Sequence, residues 1–466
     1  MVKKASSTWI FLLFSSFFLY LIICGYPLFS DGMFLDGLMY AGIAKNLALG
    51  QGDFWNLYFS EYLYSEFHEH PPLAFGLQSI WYVIFGDHLW VERLYSFCTF
   101  LLLTLLVVRF WKFIVGDYKL SWLPVLFLSV IPLISWSSAN NMLENTMSVF
   151  TFSSGFAYLV YVRKKKFYFL FFSAFLLICA FFCKGFTALF VLAFPFAMLL
   201  FKEGYKIRRF IFDSVAFILI VSTISCLLFV LVPESLLSIE KYFYQQVVKS
   251  INNVVTVNNR FYILYRLLTE MLIPLGIIIL FLLWKRMKRL DVQQGRERKL
   301  GLAFIVVGLC GVLPIVISEK QSGFYILCVF PFLCIGLSLL IYNVVSSYQE
   351  LVLEKRLQLI KIVTFCLFIT SVLICSVGHN STGRDQGKLA MLKMVLPIIK
   401  DSRLLFIEKT LWSDWNLQAY FTRYGNVSLC KSEVKTGEYL LSKSVVKRKG
   451  FQKILVSGEY GLFLFL

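Results

Sequence analysis

Two carboxylates, Asp31 and Asp36, follow the first hydrophobic stretch, and the same segment closes with Phe67-His68-Glu69-His70-Pro71-Pro72-Leu73. His68, His70 and His88 are three of the chain's four histidines. A carboxylate such as Asp36, Asp31 or Glu69 can take the proton of an attacking hydroxyl or amine. His68-Glu69-His70 alternates donors at i and i+2, and with Asp36 it offers ligands to a divalent metal. A polar turn before Pro-Pro is the other reading, since no third spaced ligand follows. Five more ionisable residues stand in or at the ends of apolar stretches: Glu92, Arg93, Glu144, Lys184 and Lys320. Charges there cost several kcal/mol and face a cavity or a partner. Together they suit a cavity for an anionic lipid headgroup, with Lys and Arg on phosphate and a carboxylate on a neutral nucleophile. Singly, each reads equally as a snorkelling interface residue, and Glu92 and Arg93 as a pair with each other.

The elements that position these groups are built for lipid. Of the 466 residues, 59% are hydrophobic and 15% charged, against roughly 45–50% apolar and about 25% charged in a soluble domain. That composition defines a polytopic α-helical membrane protein. The net charge of +18 sits in short loops between apolar stretches, which argues against nucleic acid and for topology signals and contact with lipid headgroups. Ten of the eleven cysteines, all but Cys430, lie in apolar stretches with no paired spacing, so they read as small hydrophobes.

Apolar stretches long enough to span fall at 8–30, 89–111, 119–137, 142–162, 167–183, 185–201, 209–232, 267–284, 300–317, 323–343 and 359–378, or about eleven transmembrane helices. The first reads as an uncleaved helix after Lys3 and Lys4. Basic clusters at Arg109/Lys112/Lys119, Arg163–Lys166, Lys202–Arg209, 285–299 and Lys355–Lys361 share one side with Lys3 and Lys4. The positive-inside rule makes that side the cytoplasm. The loop 31–88, the loop 233–266, the link 318–323 and the tail then lie outside. Lys184 and Lys320 are basic on the wrong side for topology. Within the first loop, Tyr40, Ile43 and Leu47 recur at helical spacing, predicting a helix along the membrane surface with Asp36 in its first turn. A helix dipole favours an acid there, so a plain helix cap is the alternative. Residues 1–378 form the membrane region. Residues 379–466 alternate helical and strand-like patterns and predict a small extracytoplasmic α/β domain. Trp55, Tyr58, Tyr62, Trp81 and Tyr82 read as groove walls or as an interfacial aromatic belt.

An acid after the first span followed by Tyr40-Ala-Gly-Ile-Ala, then His70-Pro-Pro-Leu, then Lys184-Gly, resembles the GT-C membrane glycosyltransferases. The branch is that of the protein O-mannosyltransferases (dolichyl-phosphate-mannose-protein mannosyltransferases) and the aminoarabinose transferases. Lys320, Tyr325 and Pro331-Phe332 are also similar to theirs. The resemblance implies a GT-C fold and transfer of a hexosyl or pentosyl group from a polyprenyl-phosphate donor to an acceptor outside the inner membrane. Asp36 matches the family's first-loop acid, a catalytic base or acceptor-orienting carboxylate. Gly37 stands where many members carry a second acid, with Asp31 as a candidate replacement. His70, Lys184, Lys320 and Tyr325, with Arg93, fall to the donor phosphate. Tyr40, Glu144 and His68 fall to the acceptor or pocket.

This reading requires no cofactor and leaves a divalent metal open; the polyprenyl-phosphate sugar is a substrate, and membrane lipid is the other partner. One carboxylate and direct displacement would invert the anomeric centre. A lipid-linked sugar flippase and an inactive scaffold relative are the rival readings. Neither inverted repeats nor matched Gly/Pro-broken spans, which transporters usually show, are evident.

Overall fold

The computed structural model describes residues 7–248, 256–290, 295–400, 402–443 and 450–466. α1 (Thr8–Phe29) leads into the first loop, which contains α2 (Leu35–Ala48) and α3 (Leu73–Phe85). Next come α4 (Val91–Val115), α5 (Trp122–Ser129), α6 (Pro132–Ala139), α7 (Leu143–Lys164) and α8 (Tyr168–Lys184). A 3-10 run, Phe186–Ala193, leads to α9 (Phe194–Phe201), α10 (Ile207–Leu231) and α11 (Pro233–Tyr242). The membrane region ends with α12 (Tyr262–Met287), α13 (Arg296–Val312), α14 (Phe330–Leu340), α15 (Tyr342–Tyr348) and α16 (Leu357–Gly378).

Among the described residues seven helices are long and apolar enough to cross a membrane, or eight if α5 and α6 count as one bent span. The apolar stretches of the sequence therefore do not all become straight, uniformly apolar helices. The stretch 119–137 breaks at Val130-Ile131 and bends by 69°. Pro132 opens α6 at a position where its missing N–H is no loss. The next N–H, that of Leu133, donates to Glu270 Oε2 of α12 at 2.8 Å. The stretch 142–162 becomes α7, whose polar residues face the bundle interior. Ser154 and Ser173 exchange hydrogen bonds between α7 and α8, and Asn145 Nδ2 donates to Ser96 Oγ at 2.8 Å. The stretches 185–201 and 323–343 each begin as a 3-10 run, Phe186–Ala193 and Gly323–Val329.

At the basic end of the bundle, Asp213 is fully buried. It accepts from Tyr161 and Tyr205 at 2.7 and 2.5 Å, with Arg209 beside it. This latch ties α10 to α7 without any signal in the local sequence.

The tail contains α17 (Gln386–Val395), β1 (Leu404–Ile407), α18 (Trp415–Gly425), β2 (Ser428–Cys430), β3 (Tyr439–Ser442), β4 (Phe451–Ser457) and β5 (Tyr460–Phe465). The sheet order is β2-β1-β3-β5-β4. β1 runs parallel to β2 and β3, whereas β5 runs antiparallel to β3 and β4. The chain ends in a hairpin of β4 and β5. The tail packs back on the first loop through α18 and α2.

Candidate active site

The first turn of α2 is fixed from outside the helix. Asn140 Oδ1 accepts from the N–H of Phe34 at 2.8 Å, and Asn141 Nδ2 donates to the Gly37 carbonyl at 3.3 Å. A Cβ at Gly37 would lie 1.9 Å from the Asn140 carbonyl oxygen. The close approach of α2 to the α6–α7 link excludes any side chain at position 37, so a second acid has no room there. Asp36, one residue earlier, has no hydrogen bond or ion pair among the described residues. Burial pushes its carboxyl above the usual carboxylate range and Glu69 adds to this, while Lys184 and Lys320 oppose it.

Beneath this turn lies a buried ion pair. Lys184 ends α8, and its Nζ meets Glu144 Oε1, in the first turn of α7, at 2.5 Å. Glu144 is 0% exposed and Lys184 7%. The lysine is surrounded by the rings of Phe324, Tyr40 and Tyr325 at 5.0, 5.8 and 5.8 Å. Gly185 makes this placement possible. Its φ of +93° turns the chain sharply after Lys184, and a Cβ there would strike Tyr242.

His70 Nε2 lies 3.1 Å from the Tyr40 hydroxyl. Burial raises the Tyr40 phenol well above its ordinary value and lowers His70 well below its own. Between a protonated phenol and a neutral imidazole, the tautomer of His70 sets which of the two donates. The His70 Nδ1 is buried without a partner in the structure. Glu69 accepts from Tyr64 at 2.6 Å, and Lys320 Nζ donates to Gln246 at 2.7 Å. Asp36, Tyr40, Glu69, His70, Glu144, Lys184, Lys320 and Tyr325 therefore form one electrostatic cluster.

Other residues singled out in the sequence lie elsewhere. His68 turns away to Asn56 and Ser238, at 3.1 and 3.5 Å. His68, Glu69 and His70 thus engage three separate partners. Among the described residues no group of three His, Cys, Asp or Glu side chains could hold a metal ion. Asp31 does not join Asp36. It accepts from the Tyr424 hydroxyl of α18 and from its neighbour Gly32, and pairs with Lys393 of α17 at 3.4 Å. Arg93 does not reach the Lys184 cluster, and Glu92 is not its partner: Arg93 donates to the Gly32 carbonyl at 2.6 Å, and Glu92 pairs with Arg423.

Sequence reading missed that last contact. Arg423 of α18 is 1% exposed and also donates to Asp87 at 2.6 Å. Lys45 of α2, equally buried, donates to the carbonyls of Thr422 and Arg423, both at 2.9 Å. Those carbonyls end α18, where Thr422 also accepts from the N–H of Asn426 at 3.2 Å. Burial lowers the Lys45 ammonium to about 8, against the pull of Asp87. Lys45 and Arg423 each lie in a helical segment, and a helical pattern names no partner.

Fold and site define a helical membrane protein whose buried carboxylate, lysine and imidazole cluster is covered by a first-loop helix. The sequence pattern of the dolichyl-phosphate-mannose-protein mannosyltransferase family matches residues 69–232. ArnT from Cupriavidus metallidurans bound to undecaprenyl phosphate superposes with a TM-score of 0.66 at 14% identity, covering 99% of both chains. Its apo state gives 0.61 at 13% identity, again over 99% of both chains. The archaeal oligosaccharyltransferase AglB from Archaeoglobus fulgidus, in complex with an inhibitory peptide and a dolichol-phosphate, gives 0.50 at 10% identity over 92% of this chain and 65% of that one. Comparison with curated proteins by sequence gives no match. The chain has the fold of ArnT over its whole length and is similar to the dolichyl-phosphate-mannose-protein mannosyltransferase family over 69–232.

Proposed function

We propose that this protein transfers a sugar from a polyprenyl-phosphate carrier to a hydroxyl or amine of an acceptor at the outer face of the cytoplasmic membrane, with Asp36 as base. The observation that carries the reading is a partly buried carboxylate without a partner of its own, set beside two lysines at the mouth of a helical bundle. The related folds support the carrier, since the ArnT structure holds undecaprenyl phosphate and the AglB structure a dolichol-phosphate. The basic loops opposite the first loop support the orientation.

The acceptor proton passes to Asp36 as the acceptor oxygen or nitrogen attacks the anomeric carbon. The bond from that carbon to the phosphate oxygen breaks, and its electron pair leaves with the phosphate. Lys184 has three donors and uses one on Glu144, which leaves two for phosphate oxygens. Lys320 adds to the same positive field, which stabilises the departing charge. A single displacement inverts the anomeric centre. The metal ligands read from His68-Glu69-His70 do not converge, and the step proposed draws only on the chain's own residues.

The test is sugar transfer in proteoliposomes with labelled polyprenyl-phosphate sugars and a crude envelope extract, comparing the parent with Asp36→Asn. Transfer by the parent and donor binding without transfer by the variant support the reading. Equal transfer by both removes Asp36 from the chemistry. Movement of intact donor across the bilayer without consumption makes the protein a flippase.

A further inference from the structure

A cavity opens between α1, α4, α16 and the tail, and none of its lining residues belongs to the Asp36–Lys184 cluster. Its volume is about 820 Å³, with Leu28, Leu94, Phe97 and Trp90 among its apolar lining and Arg93, Lys393 and Asp31 as its charged lining. An adjoining groove of about 410 Å³ continues between α1 and α16 past Phe18, Phe368 and Val372. The two share Leu21, Phe29, Cys375 and His379.

Charge and length point to the same occupant. Arg93 is 8% exposed, and its Nε has no hydrogen-bond partner in the structure, with only Nη2 engaged, on the Gly32 carbonyl. Lys393 is balanced by Asp31 at 3.4 Å, whereas Arg93 has no carboxylate partner among the described residues. The charged lining therefore holds one uncompensated positive charge, the complement of a phosphodiester. From Phe29 to Phe18, α1 descends about 16 Å at about 1.5 Å per residue, close to one leaflet of a hydrocarbon core about 30 Å thick.

We infer that this cavity is a binding site for a glycerophospholipid of the outer leaflet, its phosphate on Arg93 and Lys393 and its acyl chains along α1 and α16. The lipid joins the start of α4 to the tail helix α17, beside the contact of Asp31 with Tyr424. It is distinct from the donor lipid, and the inference stands whether or not sugar transfer is the activity.

The experiment is native mass spectrometry of delipidated full-length protein titrated with phosphatidylglycerol, with diacylglycerol and with undecaprenyl phosphate. Phosphatidylglycerol is expected to bind one to one, and diacylglycerol, which lacks the phosphate, at least about tenfold more weakly. Lys393→Gln removes a headgroup contact and is expected to weaken phosphatidylglycerol about tenfold. Leu94→Trp fills the wall and should abolish its binding while undecaprenyl phosphate still binds, which also reports that the variant is folded. Equal affinity for diacylglycerol, unchanged binding in either variant, or one-for-one displacement by undecaprenyl phosphate overturns the inference.

Discussion

Arg423 donates through Nε and Nη2 to the two carboxylate oxygens of Glu92, at 3.1 and 2.8 Å, across 331 residues of chain. Tyr82 donates to the same carboxylate at 2.9 Å. The pair is buried where the tail meets the start of α4, and Lys45 of the first-loop helix closes the other side. The tail is thereby tied to the segment that carries Asp36.

Removing one partner of such a pair leaves a buried charge uncompensated, which costs roughly 3–5 kcal/mol. Arg423→Ala should lower the unfolding temperature in detergent and expose the tail to protease. The double variant Arg423→Met with Glu92→Met should recover much of the loss, because neither charge is then stranded. A double variant no more stable than the single would mean that the tail is held mainly by other contacts.

Asp36→Asn separates function from stability. The carboxyl is raised above its ordinary 3.8, so the folded state binds this proton more tightly than the unfolded chain. Stability falls as pH rises from the unfolded value through the raised folded one, and the full penalty is present above it. At neutral pH the amide removes that penalty. The expected outcome is an unfolding temperature equal to or above the parent's, with transfer reduced roughly 10²–10⁴-fold. A clear loss of stability would make Asp36 a structural cap.

The same shift sets the acid limb of the activity. Asp36 works as a base only when ionised, so transfer should fall at a pH above the usual carboxylate range. A pH series of initial rates checks this, with donor saturating and unfolding monitored in parallel. An acid limb no higher than that of an ordinary carboxylate would show that a different group takes the proton.

Lys184 and Glu144 should behave as a unit. Lys184→Met alone leaves Glu144 charged at 0% exposure and is expected to fold poorly. Lys184→Met combined with Glu144→Leu should fold and yet bind undecaprenyl phosphate much more weakly than the parent. Parent-like donor binding by the folded double variant would remove Lys184 from the phosphate site.

Gly37→Ala tests the missing second acid. With 1.9 Å to the Asn140 carbonyl oxygen, the methyl group forces α2 from its seat, at an expected cost of about 3 kcal/mol or more. Gly37→Glu should be worse rather than compensating. Asp31→Asn, at a site held by Tyr424 and Lys393, should leave donor binding intact. A well-folded and more active Gly37→Glu protein would show that the first-loop helix has room to move.

Several features were legible in the residues alone because their causes are local. Apolar length and composition fix membrane insertion, so the class of protein followed from the chain. The period of Tyr40, Ile43 and Leu47 placed α2 and set Asp36 in its first turn. Short motifs such as His70-Pro71-Pro72 and Lys184-Gly185 sit at turns whose backbone demands are local, and the resemblance they carried is matched by the fold over the whole chain and by the family pattern over 69–232. The alternation in the tail indicated strands and helices, though not the sheet order. Tertiary structure decided which charges meet. Nothing within a few residues of Lys184 indicates Glu144, and nothing near Arg423 indicates Glu92, because such pairs form where distant helices pack. Packing alone set Asp31 and Arg93 apart from Asp36, scattered His68, Glu69 and His70 to separate partners, and closed position 37 to any side chain, since contacts between distant segments leave no periodic trace in the sequence.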